Sequence, residues 1–573
     1  MTTTASELAP ARVRLTLSWD RLLQWGVFLL TGLLVLFPVW PILYQSVLDR
    51  PLYDPDRSFT LANFSRVLSD PVFWQVTGRT MLFSGLTTLL ALAVGTLMAV
   101  LIVRTDMPGR GLFSSLIAIP YFVSPLVLAF GWTVVFGPQG VLTVLARSRL
   151  GLDWNLYSMG GMIVVAALYY MPFTFLACVA SLRLADPQIE HAARIAGCGP
   201  VRTLVSITLP LLRPAIIYSA LLIFVSSIEL LSIPLVLGTP ARISLLATYV
   251  YQLGVAGITI DYGALAVVAI VLVLLITGLV LLQGRLVGLE RRFVTVGAKA
   301  VRPQRLRLGV LRWPLAALVG MITILGIIAP LLGIFVQAST ALLSPFINPL
   351  SVLTLKNFAI VFEQPAYRES IVNSLLVATL GGAVGIFFMA LVALTTYRSD
   401  FRWRDGLRFL ALYPRAFPAL IMGIGFLWTY LLIPGIGGVR NTLIAITIAF
   451  IVTSLPMGFG TVSPSVLQIS PELDRAARVA GSSWFGTLRH ILLPMLRPAL
   501  LSGYVLLFIT FLKEYSVALF LFAPGSRVIG TTMIELWRQG NPGPVSALAA
   551  VQIVVIAVVV VISRRFFGVK LHE

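Results

Sequence analysis

Long apolar runs, separated by short polar segments, dominate this sequence of 573 residues. An α-helix needs about 20 apolar residues to cross a bilayer, and many runs reach that length. They lie near residues 25–48, 80–103, 112–136, 159–182, 215–238 and 264–284, and again near 313–338, 372–396, 407–432, 442–466, 499–522 and 544–563. The pattern therefore predicts an all-α polytopic membrane protein with twelve transmembrane helices.

Composition and charge agree with this class and predict an orientation. Charged residues make up 11% of the chain, against about 25% in soluble domains. The net charge of +20 does not indicate a nucleic-acid partner, because much of it lies in short loops on alternate sides of the runs. By the positive-inside rule both termini are predicted to be cytoplasmic. The run after residue 24 lacks a small-residue cleavage site, so we interpret it as a retained first span in a lipid bilayer.

The second half of the chain repeats the first. Equivalent residues 294 positions apart include Leu61 and Leu355, Pro71 and Pro365, Arg104 and Arg398, Asp106 and Asp400, Pro120 and Pro414, and Gly131 and Gly425. Later pairs are 284 apart: Ala192 and Ala476, Gly197 and Gly481, Pro210 and Pro494, and Pro214 and Pro498. Six spans in each half make the repeats parallel. We predict two six-helix repeats around a pseudo-two-fold axis normal to the membrane, which favours a transport pathway along that axis.

These features predict the domain organisation. A cytoplasmic N-terminal segment (1–24) precedes the first six-span half (25–285), and a basic cytoplasmic linker (286–311) leads to the second half (312–566) and a cytoplasmic tail (567–573).

Two polar stretches stand out between the apolar runs. "IEHAARIAGCGPVRTLVSITLPLLRPAI" begins at Ile189, and "LDRAARVAGSSWFGTLRHILLPMLRPAL" begins at Leu473. Each follows a capping residue and a proline, has an acid in the first turn, and contains a glycine where a short helix should stop. We predict a helix, a glycine break and a second piece ending at Pro210 and Pro494. Two copies favour a docking surface for another protein over an amphipathic loop lying on lipid headgroups.

The spacing Ala-Ala-x-x-x-Gly, nine residues, then Ile-x-Leu-Pro resembles the EAA loop of permeases in binding-protein-dependent ABC importers. In that family the loop forms a coupling helix that sits in a groove of the ATPase subunit. The resemblance assigns ATPase docking to Glu190, His191, Ala192, Ala193, Gly197, Ile207 and Pro210, and to Asp474, Arg475, Ala476, Ala477, Gly481, Ile491 and Pro494. The sequence departs from the family where the loop's glutamate is expected, because that place holds His191 and Arg475.

The resemblance implies partners as well. The chain has no Gly-Lys pair and hence no phosphate-binding loop of the kind GxxxxGK[ST]. It is therefore expected not to be an enzyme and to bind no cofactor itself, with ATP and Mg on a partner ATPase. Two loops imply two ATPase copies. A periplasmic substrate-binding protein and a place in the bacterial inner membrane complete the expectation.

Charged residues inside predicted spans are candidates for a pathway or gate. Glu229 and Glu514 are 285 residues apart in spans five and eleven, each predicted mid-span; Lys513 adjoins Glu514, and Arg415 lies in span nine between Pro414 and Pro418. The two glutamates either face the pathway or pair within the bundle with Arg415, Lys513 or backbone groups. Pro120, Pro125, Pro414 and Pro418 are expected to kink spans three and nine.

The substrate is less sharply indicated. The segments after Ile228 and Phe511 look like those of ferric-iron permeases, which are commonly fused twelve-span chains. Thiamine, aminophosphonate, polyamine and sulfate permeases are alternatives. A gradient-coupled secondary transporter is the alternative from another class, and a membrane-embedded enzyme is disfavoured because no catalytic acids or nucleophile with a base are evident. No metal site is predicted, because His191, His490 and His572 are far apart and no Cys-x-x-Cys occurs.

Overall fold

The computed structural model describes residues 19–184, 187–256, 260–290, 306–344, 346–433, 435 and 437–567. In the first half the α-helices are Trp19–Leu36, Trp40–Ser46, Ala62–Ser69, Pro71–Arg104, Arg110–Ile117, Ile119–Phe122, Pro125–Phe136, Val141–Leu150, Met159–Leu184, Pro187–Ile195, Pro200–Thr203, Leu209–Leu211, Arg213–Ile228, Leu246–Tyr251 and Tyr262–Glu290. In the second half they are Arg312–Thr323, Ala329–Ala338, Lys356–Glu363, Pro365–Leu376, Gly382–Arg398, Arg404–Leu412, Ala419–Leu432, Leu443–Gln468, Pro471–Val479, Trp484–Thr487, Leu493–Lys513, Ala518–Leu521, Ile529–Arg538 and Pro542–Phe567.

Short stretches of other helix types interrupt or extend these α-helices. Wider π-helical turns occur at Leu204–Thr208, Pro234–Gly238, Gln252–Ala256, Ile324–Ile328, Val377–Gly381 and Leu488–Leu492. Tighter 3₁₀ turns occur at Gly309–Leu311, Pro349–Val352, Tyr413–Ala416 and Gly437–Val439. Within the ranges given above, β-structure is limited to three isolated bridges.

Twelve spans are confirmed if each bent helix pair counts as one. Ten helices of the described chain are long and apolar enough to cross a membrane, and two bent pairs complete the set. The ten are Arg21–Ser46, Pro71–Arg104, Pro125–Leu150, Met159–Arg183, Tyr262–Leu282, Gly309–Ala338, Pro365–Arg398, Leu443–Gln468, Phe485–Lys513 and Pro542–Arg565. The bent pairs are Leu204–Leu211 with Arg213–Ile228, at 56°, and Arg404–Ala416 with Ala419–Leu432, at 109°.

Prolines of the third and ninth spans stand at helix breaks, where kinks were predicted. In the third span, Val123 and Ser124 are extended immediately before Pro125. Pro418 follows the 3₁₀ turn Tyr413–Ala416, and the next helix leaves it almost at a right angle. Proline disfavours helical geometry in the residue before it and cannot donate to the preceding turn. Arg415 therefore lies at a break, with its side chain exposed, and not inside a continuous span.

Each half has a core of three long helices, and the first span of each half packs on the other half. Pro71–Arg104 packs along Met159–Leu184 and Arg213–Ile228, and the equivalent three helices form the core of the second half. Trp19–Leu36 contacts Gly382–Arg398 and Arg404–Leu412 of the second half, whereas Ala329–Ala338 packs on Pro125–Phe136 of the first. The two halves are thus interlocked as well as covalently fused.

A repeated glycine allows the first span of each half to pack closely against the opposite half. A Cβ atom on Gly131 would come within 2.5 Å of the Pro330 carbonyl oxygen, and one on Gly425 would collide with the Pro38 carbonyl oxygen. Any side chain at these positions would push the first span of the opposite half away. The Gly131 and Gly425 pair is therefore a packing requirement of the interlock.

The segments that begin at the equivalent Leu61 and Leu355, with the sequences "LANF" and "LKNF", each contain a buried asparagine with a structural role. The Nδ2 of Asn63 donates to the carbonyl oxygens of Ser46 (3.1 Å) and Leu48 (2.7 Å). The Nδ2 of Asn357 likewise donates to the carbonyl oxygen of Thr340, at 2.9 Å. Both asparagines are buried, so they satisfy carbonyl groups at the end of the first span of their own half.

Candidate functional sites

The two polar stretches fold alike. Pro187–Ile195, here called the first loop helix, and Pro471–Val479, the second loop helix, are each nine residues long. The hydroxyl of Ser470 accepts a hydrogen bond from the Glu472 amide at 3.3 Å, as expected for a capping residue. Its counterpart Asp186 lies outside the described residues. The predicted helix starts are thus confirmed for the second copy.

Both loop helices end at the predicted glycines. Gly197 has a φ of +83° and Gly481 a φ of +81°, a left-handed conformation that suits glycine. The Cys198 amide donates to the Ala193 carbonyl at 2.9 Å, and the Ser482 amide donates to that of Ala477 at the same distance. These bonds turn the chain sharply and leave the last helical turn projecting.

That projecting turn carries an exposed apolar side chain in each half. Ile195 is 89% exposed and Val479 is 90% exposed, at equivalent positions 284 residues apart. The two loop helices therefore present matched aliphatic side chains to solvent at their ends. Sequence reasoning missed these residues, although each stands two positions before the glycine already identified.

The other predicted loop residues are placed unevenly. Ala192, Arg475 and Ala476 are exposed, Ala193 is half-buried and Ala477 is buried. The side chains of Glu190 and His191 lie outside the described part of the structure. The described side chains of the two loop helices are therefore mostly exposed, whereas Ala477 is packed against the protein.

The second piece was predicted to end at Pro210 and Pro494. In the first half it ends at Leu211, next to Pro210, where the chain bends by 56° into the following helix, but in the second half it continues through Pro494. The half-buried Ile207 and Ile491 lie in π-helical turns, and each proline stands near the start of the helix that follows. A π-helical turn shifts the hydrogen-bond pattern just before a residue that lacks an N–H, so the helical path continues through the proline.

Asp474 of the second loop helix is held by a buried arginine. Arg398, at the end of Gly382–Arg398, places Nη1 at 3.2 Å from Asp474 Oδ2, and the two side chains are only 6% and 19% exposed. Arg398 also donates to the carbonyl oxygens of Val466 and Ile469. One guanidinium therefore joins the ends of two spans to the second loop helix.

A second candidate site is a cavity of about 270 Å³ between the halves. Its lining includes Glu229 and Ser232 from the first half and Lys513, Glu514 and Tyr515 from the second. The Ser232 hydroxyl and the Tyr515 hydroxyl are hydrogen-bonded across the boundary at 2.7 Å. The cavity thus brings together three of the four charged residues predicted for the pathway.

The two glutamates were predicted to lie in the middle of continuous helices, but they do not. The first-half helix ends at Ile228 and the second-half helix ends at Lys513, so Glu229 and Glu514 are the residues at which each helix stops. An apolar run indicates that a segment can cross a membrane, but it does not show that the backbone stays helical. Broken spans at this depth expose backbone groups to a cavity.

The equivalent carboxylates differ in their contacts. Glu514 Oε1 accepts hydrogen bonds from the amides of Tyr515 (3.0 Å) and Ser516 (2.7 Å). No hydrogen bond or ion pair engages the Glu229 carboxylate within the described ranges. Arg415 and Glu514 are close enough to Glu229 for their charges to act on it. The predicted pairing with backbone groups therefore applies to Glu514, and Glu229 keeps its oxygens available to the cavity.

Lys513 does not pair with either carboxylate. Its Nζ donates to the backbone carbonyl of Tyr121 at 2.9 Å and lies 5.9 Å from the centroid of the Tyr121 ring. Tyr121 belongs to the broken third span of the first half. Lys513 therefore joins the helix break of the second half to the helix break of the first half.

Both halves match one protein family. Residues 71–292 and 381–569 match the binding-protein-dependent transport system inner membrane component family, and together these segments cover more than half of the chain. The chain belongs to this family. It is a multi-pass inner-membrane permease of ABC importers in a fused form, with two copies of the permease fold.

Full-length relatives share the fused layout. The permease is 28% identical over 545 residues to a protein named as a ferric transport system permease, FbpB 1, of Haemophilus influenzae, covering 90% of this chain and 82% of the relative. It is 26% identical over 549 residues to the ferric transport system permease protein FbpB of Actinobacillus pleuropneumoniae, covering 93% and 76%.

More distant similarities cover about half of the permease. The sn-glycerol-3-phosphate transport system permease protein UgpA of Yersinia pestis is 27% identical over 297 residues, covering 50% of this chain and all of the relative. A chain of a bacterial alginate ABC transporter, solved with an alginate-bound periplasmic protein, aligns with a TM-score of 0.36 at 18% identity, covering 45% of this chain and 96% of that one. That structural likeness is too weak to add to the family match.

Proposed function

We propose that this permease carries ferric iron into the cytoplasm as the membrane subunit of an ATP-driven importer. The observation that carries the proposal is the similarity over 90% or more of the chain to two proteins named as ferric transport permeases. The half-length similarity to a glycerol phosphate permease supports the importer class but not that substrate.

The cavity between the halves supports a hard cation as cargo. Its polar lining offers oxygen atoms: the Glu229 carboxylate, the hydroxyls of Ser232 and Tyr515, and the second oxygen of Glu514. Carboxylate and other oxygen ligands suit hard cations. No group of three or more His, Cys, Asp or Glu side chains able to hold a metal occurs among the residues described. A cation would therefore pass without being trapped, and Glu229 is the carboxylate that meets it.

The two loop helices support a symmetric pair of ATPase partners. Each half presents a capped helix with an exposed apolar tip at an equivalent position, so two copies of one ATPase subunit bind, one at each tip. ATP and Mg²⁺ belong to those partners. When the partners close on ATP, the loop helices move together, and the spans to which they are joined tilt so that the cavity opens to alternate sides.

The same arrangement requires a defined orientation. The loop helices, the basic linker and both termini then lie on the cytoplasmic side, as the positive-inside rule predicts. A periplasmic binding protein delivers the substrate to the opposite face.

Purification of the tagged permease from native membranes in mild detergent tests the assembly. We expect mass spectrometry to find an ATPase subunit at two copies for each permease chain, together with a periplasmic binding protein. That binding protein is then tested for ferric iron, thiamine and aminophosphonate. Selective binding of thiamine or aminophosphonate would exclude iron as the substrate. A permease that purifies alone and transports without an ATPase would favour the gradient-coupled carrier.

A further inference from the structure

A basic groove in the first half is not used by the proposed transport mechanism. It has a volume of about 460 Å³ and lies where the second, third and fourth spans approach one another. Arg110, Arg183 and Ser114 form its polar side, and Ile102, Val103 and Val179 form its apolar side. The groove is therefore amphipathic, with two cations beside an aliphatic wall.

The two guanidinium groups have no partner of their own in the part of the chain that is described. Neither Arg110 nor Arg183 takes part in an ion pair or a side-chain hydrogen bond there, and the lining of the groove contains no acidic residue. Arg110 is half-buried and Arg183 is exposed. Two cations that share one groove repel each other unless an anion lies between them.

The position of the groove suits a lipid more than a soluble ligand. Arg110 begins a helix six residues after the second span ends at Arg104, and Arg183 closes the fourth span, four residues before the first loop helix. Both arginines are thus at the membrane boundary, where headgroups lie. The aliphatic residues of the groove belong to the second and fourth spans and lie on the membrane side of the two arginines.

The second half differs from the first at the positions equivalent to this groove. The residues equivalent to Arg183, Gly111 and Ser114 are Leu467, Asp405 and Arg408, so the second half loses one cation, gains another at a different position and gains an acid. Tyr397 replaces Val103 and stacks on Phe459, with 5.9 Å between ring centroids. Arg404 retains the cation of Arg110 but lies next to Asp405. The second half therefore arranges its charges differently, with an acid between its two arginines and an aromatic ring in the place of Val103.

We propose that this groove binds the headgroup of an anionic phospholipid. Arg110, Arg183 and the Ser114 hydroxyl hold the lipid phosphate, and an acyl chain lies against Ile102 and Val179. Arginine is suited to phosphate because its planar guanidinium donates two parallel hydrogen bonds. Basic pockets between transmembrane helices bind anionic headgroups for the same reason. The lipid would occupy a place directly beside the first loop helix.

Native mass spectrometry of the full permease, titrated with phosphatidylglycerol in detergent, tests this assignment. We expect the wild type to retain one phosphatidylglycerol more tightly than phosphatidylcholine. Arg183→Leu, which copies the second half, should weaken that binding about fivefold, the effect of one basic residue near an anionic lipid. Gly111→Asp should weaken it further by placing an acid beside the phosphate, and a Cβ at Gly111 meets no atom within 4 Å.

Arg404→Gln is the matched control, because it removes the equivalent arginine of the second half and should leave lipid binding unchanged. Equal binding by the wild type, Arg183→Leu and Gly111→Asp would overturn the proposal, as would equal retention of phosphatidylcholine. Displacement of the lipid by millimolar inorganic phosphate would also overturn it, since the groove would then be a site for free anions. The test does not depend on the transported substrate, so its outcome is separate from that of the ferric iron proposal.

Discussion

Arg398 and Asp474 form a buried ion pair, with Nη1 at 3.2 Å from Oδ2, that joins the end of a span to the second loop helix. Removal of one partner leaves the other charge buried without compensation, which is strongly destabilising. We expect Asp474→Asn to lower stability by about 3 kcal/mol and to reduce the stimulation of the partner ATPase by substrate. Melting of the purified permease and ATPase assays of the assembled transporter measure the two effects.

The neighbouring acid Glu472 provides the control for that variant. It is exposed, so Glu472→Gln should leave both melting and ATPase stimulation unchanged. The exchanged pair Arg398→Asp with Asp474→Arg should recover part of the stability lost in Asp474→Asn. If Asp474→Asn melts and couples like the wild type, the ion pair does not position the loop helix.

The exposed tips of the loop helices should dominate ATPase binding. We expect Ile195→Asp and Val479→Asp each to weaken assembly by about tenfold or more, because a charge replaces an apolar anchor at an interface. Quantitative co-purification of the ATPase with each variant checks this. Val310 is 89% exposed but lies outside the loop helices, so Val310→Asp is the matched control. Normal assembly of the double tip variant would exclude these residues from the interface.

The two equivalent glutamates should respond differently to neutralisation. Glu229→Gln removes a carboxylate that is open to the cavity, so we expect uptake to fall about tenfold with unchanged melting. Glu514→Gln weakens hydrogen bonds to backbone amides and should lower stability by about 1–3 kcal/mol. Parallel uptake and melting measurements on both variants distinguish the roles. Identical behaviour of the two variants would contradict the assignment.

The interlock of the halves should depend on Gly131 and Gly425. Alanine at either position would force a first span away from the opposite half, and we expect a loss of about 1–3 kcal/mol, typical of overpacking. Gly85 lies in the second span with no atom within 4 Å of a built Cβ, so Gly85→Ala should melt like the wild type. Unchanged melting of Gly425→Ala would show that the close contact with Pro38 is not required.

Much of the fold could be predicted because the relevant signals are local or repeated. Apolar run length predicted twelve spans, and the repeat predicted two parallel halves. The helix stop at Gly197 and Gly481 was predictable because a left-handed residue after a short helix favours glycine. Even the tips, Ile195 and Val479, follow from the same spacing once the orientation of the last turn is known.

The remaining features depend on contacts that a single sequence does not show. Hydropathy cannot distinguish a continuous helix from one that stops at Glu229 or Glu514. The two glutamates differ because backbone amides point at the carboxylate of Glu514 but not at that of Glu229. The exchange of first spans, and hence the reason for Gly131, depends on packing between distant segments. The π-helical turns before Pro210 and Pro494 likewise reflect how a whole helix accommodates a missing donor.

Uptake of radioactive ferric iron into proteoliposomes is the decisive test of ATP-driven ferric iron import. The vesicles hold the permease with its co-purified ATPase and ATP on the inside, and its binding protein is added on the outside. We expect uptake that requires ATP, is blocked by vanadate, survives collapse of the proton gradient and falls in Glu229→Gln. Uptake that continues without ATP and stops when the proton gradient is collapsed would contradict it.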